Sequence, residues 1–510
     1  MIKKIVILGG GSAGWLTAGL IAAECQAVEV VLVESPEVST IGVGEGTWPT
    51  MRNTLNKIGI SETEFIRDCS ASFKQGSKFI GWTTGRGDDV YHHPFTLPSS
   101  GTECNLVAAW RNYCPNVPFS EAVSFQSRIS DLGLAPKNIA MAEYAGALNY
   151  GYHLDADRLG VLLSDHCQRK LGVTVIRDHV TQVNSAENGD VESLMTKNSG
   201  IVQGDLFIDC SGGRSLLIGQ HYGIKLIDQS KYSVNDRVLA ARVPYGSERP
   251  DIASMTMATA MSAGWIWDIG LSTRRGVGYV YSSAYIDDEA AENELREYLK
   301  KGASHSNVDE IELRQLRIAA GYREKMWVNN CVAIGMSAGF IEPLEASALA
   351  LVELSAKMIT NEMPMTRKTM EIAAQRFNRT FRYRWEKVVE FLKLHYVLSS
   401  RSDTQYWIDA RSPESIPDGL NDLLELWRYR APSSYDFQSV EEVFPSASYQ
   451  YVLYGMGFRA NETFGKKSDR VEVGIEAIKR NFELVGKFSE RLPKNFDLIE
   501  KIRVHGLQKI

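Results

Sequence analysis

The sequence predicts an α/β chain that opens on a dinucleotide-binding strand–turn–helix–strand unit, continues into a second sheet and ends in a helical region. Three observations predict it. Lys3 to Gly14 reads KKIVILGGGSAG, Val28 to Val33 forms a second apolar run ending in Glu34, and the chain turns mostly helical and aromatic from Thr366.

Each element follows from its residues. Ile5, Val6, Ile7 and Leu8 form a β-branched-rich run fit for a buried parallel strand, and Gly9-x-Gly11-x-x-Gly14 opens the helix after it. Gly9 permits the tight turn, Gly11 the approach of a pyrophosphate, and Gly14 close helix–strand packing, with phosphates at the helix N-terminus. Glu34, twenty residues beyond Gly14, stands where a carboxylate holds a ribose hydroxyl. Ser39 to Pro49, STIGVGEGTWP, is a second glycine-rich loop, whose Gly42, Gly44 and Gly46 let backbone approach the same ligand. Residues 50 to 70 read as helical.

Ser77 to Trp82 has period two, placing Lys78, Ile80 and Trp82 on one face. A lysine there fits an edge strand guarded by charge as well as it fits function. Residues 83 to 140 lack periodicity and read as a long excursion over the site. Tyr152 to Asp155, YHLD, begins a helix. Short strands follow at 173 to 176, 180 to 184, 191 to 196 and 201 to 208, the last running into Asp209-Cys210-Ser211-Gly212. Strands at 237 to 243 and 276 to 285 belong to the second sheet, and between them Trp265 and Trp267 share one face of an extended segment. A helix near 288 to 301 and a strand pair around 314 to 328 precede Val332 to Phe340, an apolar strand. It leads into Glu342-Pro343-Leu344-Glu345-Ala346-Ser347 and a helix to about Asn361. Pro343 at the first helical position would make Glu345 a capping acid.

The chain's 510 residues suffice for two or three domains. Lys plus Arg is 56 and Asp plus Glu 62, a net charge of −6, which argues against non-specific nucleic-acid binding. Seven cysteines form no C-x-x-C pair and histidines are scattered, so neither a metal site nor a disulfide framework is indicated, which suits a cytoplasmic protein. The glycine fingerprint decides against a signal peptide at the N-terminus, and no apolar run is long enough to span a membrane.

GGGSAGW (9 to 15), GVGEGTWP (42 to 49), the Lys78 strand, YHLD, DCSG (209 to 212), Trp265-x-Trp267-x-Ile269 and PLEAS (343 to 347) occur in the order found in flavin-dependent halogenases of the tryptophan halogenase family, which the chain resembles over roughly residues 1 to 400. The resemblance implies a two-domain hydroxylase-type flavoprotein. A Rossmann-like FAD-binding part (about 1–80, 150–220 and 315–360) interleaves with a substrate-side sheet through residue 365, and a helical subdomain (366–510) caps the substrate pocket. It implies FAD, supplied as FADH2 by a separate NAD(P)H-dependent flavin reductase because no second nucleotide fingerprint is found, and a halide ion, chloride or bromide. It leaves room for a homodimer.

In the family, flavin C4a-hydroperoxide and halide give hypohalous acid, which halogenates an electron-rich arene, indole-like or phenolic. Lys78 would receive the oxidised halogen, its burial lowering its pKa, and Glu345 beside it would polarise the donor or take the arene's proton. Trp265 and Trp267 would separate flavin from substrate. The cofactor-binding set is Gly9, Gly11, Ser12, Ala13, Gly14, Glu34, Gly42, Val43, Gly44, Glu45, Gly335, Ser347 and Ala348, with the halide on the amides of Ser347 and Ala348. Those amides are free only if the helix starts later than Pro343 at its first position would allow. Gly270 stands where the family has proline, which would loosen that loop, and Ala348 where it has glycine, which would restrict the backbone. A single-component FAD monooxygenase acting on an aromatic ring and a catalytically silent flavin-binding protein are the alternatives.

Overall fold

Ile5, Val6 and Ile7 are fully buried, and a β-branched run buried on both faces is stable only inside a covered parallel sheet. In the computed structural model, which describes residues 2–37, 42–98, 104–302, 308–439, 441–460 and 470–509, they form the strand Lys4–Leu8 at the centre of such a sheet. The chain divides into two interleaved units, one of Met1–Ser70, Leu154–Gln229 and Ala319–Glu386, the other of Ala71–His153, Ser230–Ile318 and Lys387–Ile510. The 365/366 boundary expected from sequence differs from this division, which falls inside the helix Arg367–Val397.

In the first unit the sheet order is Trp327–Val328, Cys331–Ala333, Leu206–Asp209, Lys4–Leu8, Glu29–Glu34, Thr174–Arg177. Ile5 registers with Leu206 on one side and Val30 on the other, both parallel. The helix Ser12–Glu24 packs between the helices Ala156–Lys170 and Ser347–Asn361. Residues 201 to 208 are two strands rather than one. Ile201–Gln203 closes a three-stranded antiparallel sheet, and the chain then turns at Gly204, where a side chain would press to 2.7 Å from Val6, to enter the parallel sheet. Tyr152 to Asp155 does not begin a helix. Gly151–Leu154 is a strand, and Asp155 caps the helix Ala156–Lys170 by accepting from the amides of Asp157 and Arg158. The expected strand at 332 to 340 is likewise interrupted, by a single turn at Gly335–Ser337.

The second unit holds a seven-stranded sheet ordered Leu313–Arg317, Arg237–Pro244, Arg274–Tyr281, Gly264–Gly270, Thr256–Ala260, Gly76–Ile80, Val90–Pro94. Ile266, Val277 and Tyr279 on one face bury Ala291, Leu295 and Leu299 of the helix Asp288–Gly302. The Lys78 strand is no edge, being paired in parallel with Thr256–Ala260 and antiparallel with Val90–Pro94. Trp82 leaves the Lys78 face: Gly81, at φ 74°, swings the chain so that the indole packs edge-on to Phe79, centroids 5.6 Å apart. The excursion at 83 to 140 contains that last strand and three short helices, Leu106–Tyr113, Phe119–Val123 and Gln126–Asp131.

Candidate active site

The first unit encloses a cavity of about 460 Å³ where the strands Lys4–Leu8 and Glu29–Glu34 end. Gly9, Gly11, Ser12, Ala13, Glu34, Gly42, Glu45, Gly335, Ser347 and Ala348 line it, while Gly14, Val43 and Gly44 do not. Ser39 to Ile41 of the second glycine loop lie outside the described residues.

The glycines divide by the space around them. A Cβ at Gly9, already at φ 120°, would lie 2.2 Å from the Cys210 carbonyl oxygen, and one at Gly14 would lie 1.9 Å from that of Gly9. Gly14 therefore acts through helix–strand packing. A Cβ at Gly11 would meet nothing within 4 Å, so the wall there is open where a pyrophosphate would approach at the N-terminus of the helix Ser12–Glu24. Gly10, an unspecified position of the motif, is equally constrained: a Cβ would fall 2.0 Å from a Glu34 carboxylate oxygen. Glu34 also faces Arg177, 3.0 Å away on the neighbouring strand. These features fit a flavin dinucleotide.

Other residues in or beneath the wall stand outside the cofactor-binding set expected from sequence. Asp178 accepts from the amides of His179, Asn198 and Ser199. Burial alone would raise the pKa of this carboxyl, yet those bonds prevail and hold it well below the usual carboxylate range. Asp209 accepts from the Ser211, Leu217 and Ile218 amides and fixes the turn beneath the cavity. Phe377, Phe381 and Trp385, from the helical and aromatic region after Thr366, also line the cavity. Their spacing along Arg367–Val397 was the available signal.

The helix after PLEAS starts late. Leu344–Ala346 is a single tight turn with Glu345 at φ 64°, ψ 5° and Ala346 at φ 54°, ψ 43°, and the α-helix runs Ser347–Asn361. Pro343 therefore does not occupy the first α-helical position, and the Ser347 and Ala348 amides fall in the first turn, where no intrahelical acceptor exists. Ala348 sits within helical backbone and needs no glycine, because the unusual dihedrals belong to the two residues before Ser347. Glu345 is buried, and the Trp48 indole Nε1 donates to its carbonyl oxygen at 2.8 Å.

In the second unit Lys78 Nζ lies 2.6 Å from Asp131 Oδ1, and His92 Nε2 lies 3.0 Å from the same oxygen. Burial pushes the Asp131 carboxyl up, but His92 and Lys78 outweigh it and bring it down to about 2. The sequence reading passed over Lys74, the lysine four residues earlier. Lys74 is 1 % exposed against 23 % for the Lys78 side chain. It registers opposite Gly151 on the paired strand, sharing a face with His153 opposite Ser72. Its Nζ lies 5.4 Å from the centroid of the Phe95 ring. Burial, with the Lys74 charge second, pushes His153 well below the ordinary imidazole value, so His153 is neutral.

Trp265 and Trp267 share a face, centroids 6.3 Å apart, with Trp265 buried against Trp82. Trp267 lies across Gly278, whose added Cβ would fall 2.1 Å from the indole. Gly270 does not loosen the loop. It ends the strand, its carbonyl accepts from the Ser72 hydroxyl, and the Leu271 amide closes a tight hairpin on the Arg274 carbonyl at 2.9 Å. Among the described residues no cluster of His, Cys, Asp or Glu could hold a metal ion, and no helix is long and apolar enough to cross a membrane.

The family model of tryptophan halogenase matches residues 4–468. The tryptophan 6-halogenase SttH of Streptomyces toxytricini is 32% identical over 89% of both chains, and the tryptophan 7-halogenase RebH of Lentzea aerocolonigenes 31% identical over 89% of this chain and 90% of that one. A solved tryptophan halogenase of Shewanella frigidimarina is 48% identical, with a TM-score of 0.96 covering 100% of this chain and 99% of that one. Tar14, a tryptophan C-6 flavin-dependent halogenase, superposes with a TM-score of 0.91 at 30% identity over 98% and 100% of the two chains. With the cavity and its glycine walls described above, these similarities establish that the chain is a flavin-dependent halogenating enzyme belonging to the tryptophan halogenase family.

Proposed function

We propose that the enzyme halogenates an electron-rich arene, indole-like or phenolic, with FAD held in the first-unit cavity and delivered reduced by a separate NAD(P)H-dependent reductase. Bound there, the reduced flavin would activate dioxygen, the oxidant that converts chloride or bromide to hypohalous acid. Gly11 and the amides of Ser12 and Ala13 receive the pyrophosphate, Glu34 the ribose, and the Ser347 and Ala348 amides the halide. Glu345 takes the proton lost by the arene or stabilises the cation that precedes its loss.

The observation that carries the reading is a buried lysine amine, and it favours Lys74 over Lys78. An amine that receives an oxidised halogen must be shielded from water and able to act as a donor or nucleophile. Lys78 spends its charge on Asp131 at 2.6 Å, an ion pair that also fixes His92. Lys74 is enclosed, opposite a glycine that leaves it room and beside an aromatic ring. Trp265 and Trp267, on the opposite face of the sheet from Lys78, retain the separating role that the resemblance implies.

The test is bromination of an indole and phenol panel with FAD, a flavin reductase, NADH and bromide, followed by mass spectrometry. Lys74→Ala is expected to lose brominated product by about a hundredfold or more while still binding FAD, whereas Lys78→Ala keeps activity within about tenfold. The reverse pattern would return the role to Lys78. Hydroxylated product without halide dependence would identify a monooxygenase instead.

A further inference from the structure

We propose that Trp48 is a positioning residue for halogenation: its indole N–H holds the Glu345 carbonyl and so fixes the left-handed turn that orients the Glu345 carboxylate and frees the Ser347 and Ala348 amides. The inference rests on the roles given above to those three residues. Two successive non-glycine residues, Glu345 and Ala346, have φ above 50°, a conformation that persists only where surroundings over-determine it. Glu345 precedes Ala346, the residue that caps the helix Ser347–Asn361, and the first intrahelical bond belongs to the carbonyl of the capping residue. The Glu345 carbonyl therefore stands outside that ladder, and Glu345 is 6 % exposed. A buried carbonyl outside the ladder requires a donor from elsewhere. Trp48 Nε1 supplies it at 2.8 Å.

Trp48 is itself well anchored. It is half-buried at the end of the second glycine loop, and its own carbonyl accepts the Met51 amide at 3.1 Å, which locks it to the start of the helix Thr50–Ile58. A rigid ring with one donor and no acceptor is suited to holding a carbonyl. Glu345 and Trp48 lie in one unit, and the bond spans 297 positions of sequence. Losing the bond lets the turn relax toward ordinary helical backbone, which would rotate the Glu345 side chain and draw the first-turn amides into the ladder.

Trp48→Phe keeps the ring and removes the donor. Expected are an FAD affinity and arene KM within about twofold of wild type, a kcat for bromination lowered at least about tenfold, and a bromide KM raised at least about threefold. Because Trp48 acts through the turn, the same substitution in Glu345→Gln should lower kcat by less than about twofold further. In Ala346→Gly, where glycine adopts the left-handed backbone without cost, the loss on adding Trp48→Phe should shrink to about threefold or less. Trp48→Leu, which also lacks a donor, carries the same expectations should the phenylalanine variant fail to fold. Wild-type kcat and bromide KM in the Trp48 variants, or losses that multiply fully in both backgrounds, would overturn the proposal. Full activity of Glu345→Gln alone would instead overturn the reading of Glu345, whatever Trp48 does.

Discussion

Glu353 carries an acid into the core of the first unit. It lies on the helix Ser347–Asn361, 4 % exposed, and its Oε2 accepts from the Thr54 hydroxyl at 3.2 Å. Burial drives its carboxyl up to about 8, against the opposing pull of the Thr50 and Thr54 hydroxyls. The folded value lies above the unfolded one, so stability from the neutral acid is full below about pH 4.5 and is lost as the pH rises towards 8. Glu353→Gln keeps the shape without the proton. It should be more stable than wild type by about 1 kcal/mol or more at pH 8, with the gain vanishing by about pH 5. Thermal melts across that range decide it, and a pH-independent difference would show that the acid is not neutral in the fold. At this same scale the sequence was legible where a residue type is forced by backbone, as at Gly9 and Gly14, and illegible where environment decides. Lys74 and Lys78 are one residue type on consecutive strands, and only burial and the Asp131 partner tell them apart. Glu34 was readable from its spacing, whereas the demand it places on Gly10 is visible only as a clash.

Among the elements, the tryptophan hairpin shows how one small residue makes room for a large one. Gly278 lies under the Trp267 ring across the strand pair Gly264–Gly270 and Arg274–Tyr281. Gly278→Ala should force the indole aside and cost about 1 to 3 kcal/mol, read by urea unfolding together with a shift in tryptophan fluorescence. A loss below about 0.5 kcal/mol would mean the ring has free space to move into. Period two read the shared face of Trp265 and Trp267 correctly, because a regular strand alternates without exception. It failed one residue past the Lys78 strand, where Gly81 at φ 74° broke the alternation and carried Trp82 to the other side. The helices between 106 and 131 escaped notice because pieces of five to eight residues offer too few turns for an apolar stripe. Sequence alone leaves two starts open for the helix after PLEAS, because Pro343 is an ordinary helix-opening signal and the two left-handed residues that override it are not glycine.

Across the whole molecule, FAD bound as proposed would link stability to a wall that apo folding does not need. Gly11 has open space around its Cβ position and extended backbone at φ −76°. Gly11→Val should therefore leave the apoprotein's melting temperature nearly unchanged while abolishing the stabilisation by FAD, which for wild type amounts to about 2.7 kcal/mol at a hundredfold excess over Kd. Gly9→Val, by contrast, should destabilise the apoprotein itself, because its side chain would enter the Cys210 carbonyl. Equal behaviour of the two variants in thermal-shift assays would remove the distinction between a packing glycine and a ligand glycine. The α/β class, the nucleotide unit and its interleaving with a second sheet were legible because glycine spacing and β-branched runs are local signals. The division inside Arg367–Val397 was not, since a continuous helix gives no compositional break.

The interleaving also dictates an order of events during synthesis. The first strand finds its neighbours at Val30 and Leu206, and Phe207 finds its own at Cys331. A nascent chain thus emerges with an apolar strand whose second partner appears some 200 positions later, and chains rich in such distant pairings fold slowly. The first-unit cavity is complete only when Trp385 has been made. A ligand of that cavity can reward folding only at that late stage, and until then the Lys4–Leu8 segment has its local pairing with Glu29–Glu34 to cover one edge.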